Sequence, residues 1–181
     1  MSSKSPQDVR DFWFSDAMRP YWFEKSDQID NQIIRFFGET YEAAHAGRLT
    51  HWLNSAEDAL ALCILLDQCP RNMFRGSGRS FESNDLALRV ARQALDRGYD
   101  KQVDATARQF FYLPFMHSED PEDQDRSVRL YEALGNPHSL HFAREHRDIV
   151  ARFGRFPHRN AALGRESSPE EAAFLETHSG F

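Results

Sequence analysis

Apolar residues recur along this chain at intervals of three and four, and no run shows the alternation of a half-buried strand. Within 27–46, Ile33, Phe36, Phe37 and Tyr41 keep helical spacing, and Gly47 closes the element. The stretch SPQDVRDFWF predicts an earlier helix, with Ser5 as N-cap, Pro6 at the first helical position and an acid in the first turn. SAEDALALCILLDQ starts a third at Ser55, with Asp58 three residues on, and Pro70 ends it. Four more follow: 84–97 stopped by Gly98, about 104–115, 121–134 between Asp120 as cap and Gly135 as stop, and 138–153 ended by Gly154. In SSPEEAAFL, Ser168 caps the last helix, Pro169 takes the first position and Glu171 completes a capping box. The starts at 84 and 121 lie 37 residues apart and those at 104 and 138 lie 34 apart, the offset of two stacked helix hairpins. The expected fold is therefore all-α: a tetratricopeptide-like helical-hairpin array, α-solenoid-like, with about eight helices in one domain over 1–181. The repeat consensus residues are absent.

Composition narrows the function classes. A chain of 181 residues buries a sizeable core without a disulfide or structural metal. Its 13% aromatic content, with 15 Phe, argues against disorder. A formal charge of −6 argues against non-specific nucleic-acid binding. Of 22 basic residues only Lys4, Lys25 and Lys101 are lysine, and arginine is the residue of planar, bidentate contacts. Cys63 and Cys69 match neither a CxxC motif nor a zinc knuckle, and two free thiols suit a reducing compartment. The longest apolar run, ALALCILL at 59–66, is too short to span a bilayer, and MSSKSPQDVRDF lacks the apolar core of a signal peptide. The cytoplasm is the expected location, with no membrane partner.

Three segments outside the helix interiors carry candidate chemistry. In DQCPRNMFRGSGRSF (67–81), Gly76 and Gly78 beside Arg71, Arg75 and Arg79 suit a phosphate or carboxylate, although this is no Walker A loop. The competing reading pairs those arginines with Asp67 and nearby helix ends. In FMHSEDPEDQDRS (115–127), His117, Glu119 and Asp120 lie together, but helix capping accounts for the acids and no spacing supports zinc. No metal or cofactor is expected. The third segment runs from REHRD (144–148) through RFGRFPHRNAALGRES (152–167). From Arg144 to Arg165 six arginines face only Glu145 and Asp148, a net +4, whereas five acids and no base lie between Glu119 and Asp125. Either the basic stretch holds an anionic ligand or the two stretches pair within the protein. PRN at 70–72 and PHRN at 157–160 repeat one device: a proline-stiffened turn that holds an arginine, then an asparagine able to bond its own chain.

DFWF (11–14), Gly47-Arg48-Leu49 followed by Trp52, LLDQCPRNMFRG (65–76), YLPFMHSED (112–120), HRD (146–148) and FGRFPHRNAALGRES (153–167) together resemble a family. It is the bacterial domain-of-unknown-function family numbered 924, and the likeness runs from about Val9 to Leu175. Cys69 stands where the family pattern carries an aromatic. The resemblance implies a tetratricopeptide-type all-α domain and brings no catalytic residues with it.

Three functional readings follow. The first is a binding module for a peptide or small anionic ligand, with aromatic walls from Trp13, Trp22, Phe111 and Phe115 and contacts from Arg71, Arg75, Arg155, Arg159 and Asn160. The second is a small hydrolase or other acid/base enzyme. His117 or His158 would be the base, oriented by Glu119, Asp120 or Asp148, with arginines holding developing negative charge. No Gly-x-Ser-x-Gly elbow supports it. The third is a structural or oligomeric protein in which these segments serve packing.

Overall fold

The computed structural model describes residues 3–181, which form helices and turns with no strand among them. Local chemistry sets most of the boundaries. Helix α1 (Pro6–Trp13) opens on a capping box in which Ser5 and Asp8 satisfy each other's backbone N–H groups. Ser26 caps α2 (Asp27–His45), Ser55 caps α3 (Ala56–Asp67), and α5 (Asn84–Asp96) leads to Gly98 in the left-handed conformation. Helix α6 spans Ala105–Met116. Asp120 and Gly135 bound α7 (Pro121–Leu134), while Asn136 and Gly154 bound α8 (Pro137–Phe153). Ser168 and Glu171 form the capping box of α9 (Pro169–Leu175).

One element departs from the sequence reading. Within 67–81, Cys69–Met73 forms a short helix, α4. Pro70 occupies its first turn, where a missing N–H breaks no bond, so the proline opens a new helix as well as ending the old one.

The chain gathers into two compact units, residues 3–75 with Arg79–Pro114 and Gly76–Gly78 with Phe115–Phe181. In the first, α3 is apolar on every side, and Ala59 through Leu66 are all buried. Helices α1, α2, α4 and α5 pack against it. Ile33, Phe37 and Tyr41 face inward from α2, whereas Phe36, on the flank of that stripe, is exposed and meets Phe12 edge-on at 5.9 Å. Trp13 and Phe111 belong to this core, and Trp22 donates its indole N–H to the Trp13 carbonyl at 2.8 Å.

In the second unit α7 and α8 pack as a hairpin, the second of the two that the repeat offset predicts, whereas in the first unit α5 packs on α3. Buried Gln124 donates to the carbonyls of Met116 and Ser118 at 2.7 and 2.6 Å, satisfying groups that the end of α6 leaves over. Phe156 is fully buried with Ile149 and Val150, and Phe153 and Phe174 pack against that cluster. Gly78 lies so close to Ala162 that a Cβ would come within 2.8 Å of its carbonyl oxygen. Among the described residues no helix is long and apolar enough to cross a membrane.

Candidate functional site

The candidate arginines of the first unit, Arg71, Arg75 and Arg79, are engaged by carboxylates. Arg75 grips Asp30 with a two-pronged fork at 2.8 and 2.9 Å, and Asn72 donates to the same carboxylate at 2.8 Å. Burial works to raise the Asp30 carboxyl, but the bonds from Arg75 and Asn72 outweigh it and hold it below its ordinary range. Arg71 lies 3.6 Å from Asp67, one helical turn back, and donates to that residue's carbonyl. Arg79 bonds Glu42 and Glu82 and lies over the Phe74 ring at 3.8 Å. Asn72 reaches beyond its own turn to a residue 42 positions away.

A second set of pairings organises 152–167. Glu119 accepts two bonds from Arg165, at 2.8 and 3.0 Å, and one from the Phe156 N–H at 2.8 Å. Burial pushes its carboxyl up, but these bonds and the Arg159 charge hold it below the ordinary value. Glu171 takes the Arg155 fork at 2.7 and 2.9 Å, the Ser168 N–H at 2.8 Å and a bond from Asn160. Led by Arg155, these bonds hold its carboxyl down at about 2. Asn160 also donates to Ser167 and accepts from Arg165. Buried Arg159 crosses the Phe156 ring and donates to the His117 carbonyl at 2.9 Å. The basic stretch thus meets the acidic one through Glu119, while α9 supplies its other main carboxylate. Of the remaining acids, Asp120 caps α7 and Asp123 accepts from Ser118.

The structure therefore brings His117, Arg155, Arg159 and Asn160 into one clasp, with His158 on the same turn, Pro157–Arg159. Arg71 and Arg75 belong to pairings of their own. Asp148 is exposed at 67%, bonded to Arg147, on a different face of α8 from buried His146. It lies instead on the rim of a cleft of about 340 Å³ between α8 and α9. Ile149, Phe153 and Phe174 line the floor; Arg144, Glu145, Asp148 and Arg152 supply charges of both signs around it. A cleft of about 560 Å³ in the first unit has both arginines engaged: Arg10 with Glu57 and Asp58, and Arg19 with the Phe14 carbonyl. No cluster of three His, Cys, Asp or Glu side chains among the described residues is placed to hold a metal ion.

His146 belongs to the candidate segment REHRD (144–148), and nothing in the sequence marks it as the buried member. Burial, then the neighbouring His117, push its imidazole well below the ordinary value, against the pull of the Phe142 carbonyl. Its ring stacks on Phe181, which carries no helical periodicity to signal it. Phe115 and Phe111 are core, so neither walls a ligand site. Burial raises both thiols, and Asp67 adds to the effect at Cys63.

The family described as "Bacterial protein of unknown function (DUF924)" matches residues 9–179. A solved structure, that of the protein of unknown function ATU0120 from Agrobacterium tumefaciens, is 46% identical and superposes with a TM-score of 0.91, covering 96% of this chain and 97% of that one. No protein of curated function matches the chain.

Proposed function

The chain belongs to the DUF924 family of bacterial proteins of unknown function, and we propose that it is a tetratricopeptide-like binding module whose second unit takes a short peptide in the cleft between α8 and α9. The observation that carries this reading is the make-up of the cleft, an apolar floor of Ile149, Phe153 and Phe174 under a rim of both charges. Such a floor supplies affinity, and a mixed rim fixes the direction of an extended chain. The hairpin of α7 and α8 supports the tetratricopeptide-like description. Two free, buried thiols support a reducing compartment such as the cytoplasm.

A small anion at Arg71, Arg75, Arg155, Arg159 and Asn160 has less support. Each of these side chains already holds a carboxylate or carbonyl, which a ligand would have to displace. Removing one partner of a well-buried pair costs about 3–5 kcal/mol.

The test is selection of binders from a phage-displayed library of random peptides, followed by titration against wild type and the rim reversals Asp148→Arg and Arg152→Glu. Both side chains are more than half exposed, so the fold is retained. At least one reversal should weaken the selected peptides by roughly tenfold, about 1.4 kcal/mol. Failure to select any peptide, or equal binding by wild type and both reversals, would refute the reading.

A further inference from the structure

Beside the cleft, the second unit contains a slot walled by aromatic and imidazole rings. Phe142 and His146 lie one helical turn apart on α8, and the Phe142 carbonyl accepts a bond from His146 Nδ1–H at 2.7 Å. That bond fixes the plane of the ring and, in the neutral imidazole, leaves the lone pair on Nε2. His178 is held by Glu145 at 3.2 Å and stacks on Phe174 at 4.8 Å. His158 sits on the proline-stiffened turn after α8, against Phe156 at 5.7 Å.

Into this slot goes the ring of Phe181. It stacks face to face with His146 at 3.6 Å and 17°, and meets His178 and His158 edge-on at 5.0 and 5.8 Å. Gly180 allows the approach: its φ is +112°, and a Cβ there would come within 3.1 Å of the His158 ring. Two features separate the slot from ordinary core. Its walls are held by partners other than Phe181, and Phe181 stays 52% exposed while Phe156 and Phe115 are at 0%. The perpendicular contacts with His178 and His158 are of the kind that aromatic rings prefer, and an aliphatic group gains only the burial. The Arg159 charge, near enough to act on His146, disfavours a cation in the same place.

We propose that this slot, formed by Phe142, His146, His158 and His178, is a binding site for an aromatic side chain of a partner peptide, with Phe181 as its intramolecular occupant. The inference deepens the peptide reading and rests on it: His178 lines both cleft and slot, so a peptide lying along α8 reaches the slot once Phe181 swings out.

The experiment uses Phe181→Ala, its helix content checked by circular dichroism, titrated with N-acetylphenylalaninamide while the His146 and His158 imidazole signals are followed by NMR. A saturable shift at His146 is expected in the variant and none over the same range in wild type. The cyclohexylalanine analogue should bind about three- to tenfold more weakly. No saturable shift in folded Phe181→Ala, or equal saturation in wild type, would overturn the proposal. Phe181→Leu, which keeps apolar bulk without a ring, replaces the alanine variant if that one loses helix. The two readings fail separately. A library peptide that shifts Ile149 but never His146 in Phe181→Ala removes the slot and leaves the cleft. A shift at His146 with the amide, when the library yields no peptide, keeps the slot and removes the cleft.

Discussion

Replacing Glu119 by alanine tests whether 152–167 is held as a clasp. The substitution removes both prongs of the Arg165 fork and the acceptor of the Phe156 N–H. Phe156 is fully buried, and an orphaned donor there costs about 1–3 kcal/mol. Arg165 is about a quarter exposed and keeps its bonds to Asn160 and the Phe156 carbonyl. Its uncompensated charge therefore adds less than a fully buried pair would, about 1 kcal/mol after solvent screening. The total is about 2–4 kcal/mol, a fall in Tm of about 4–16 °C for a chain of this size. Thermal unfolding followed by circular dichroism measures the loss. Hydrogen exchange should locate it, with faster exchange in peptides from 152–167 and little change in those from α3. A Tm within about 1 °C of wild type, or faster exchange confined to the first unit, would refute the argument.

Two further outcomes follow from buried titratable groups. His146 has its pKa depressed by folding, so its contribution is fully present above the ordinary value of 6.5; on acidification the unfolded chain takes up a proton that the folded one refuses. Stability should fall by about 1.4 kcal/mol per pH unit below that value until the folded imidazole titrates, and urea midpoints at neutral and mildly acidic pH should show a flatter slope in His146→Gln. Cys63 and Cys69 are buried with raised thiols, so Ellman's reagent should leave the native protein untouched and react with both on unfolding; fast reaction in the native state would contradict their placement.

The helix ends were legible because their causes are local. Ser5 with Pro6, Asp120 with Gly135, and Ser168 with Pro169 and Glu171 act within a turn of the boundary they set. The Arg71–Asp67 pair was legible for the same reason, four residues of spacing on adjoining turns. Partners far apart were not. Nothing near Arg75 points to Asp30, 45 residues away, or near Arg165 to Glu119, 46 away, because charge alone does not say which carboxylate the fold delivers. Pro70 reads as a stop, since a proline ending one helix and one opening the next look alike from sequence. Asp148 drew notice as part of HRD, yet the turn of α8 puts it on the cleft rim and gives the buried position to His146. Nothing in the sequence marks the slot, because its occupant, Phe181, belongs to no periodic pattern.

Helix α3 has a consequence for the chain as it leaves the ribosome. Apolar on every side, it is complete at Asp67, but α5, one of its covers, ends at Asp96. At about 5–20 residues per second, those residues take roughly 1–6 s to make, and through that interval ALALCILL has no finished sheath. A chain cut short before α5 leaves ALALCILL open to other chains, so truncation products of this protein are the species prone to aggregate.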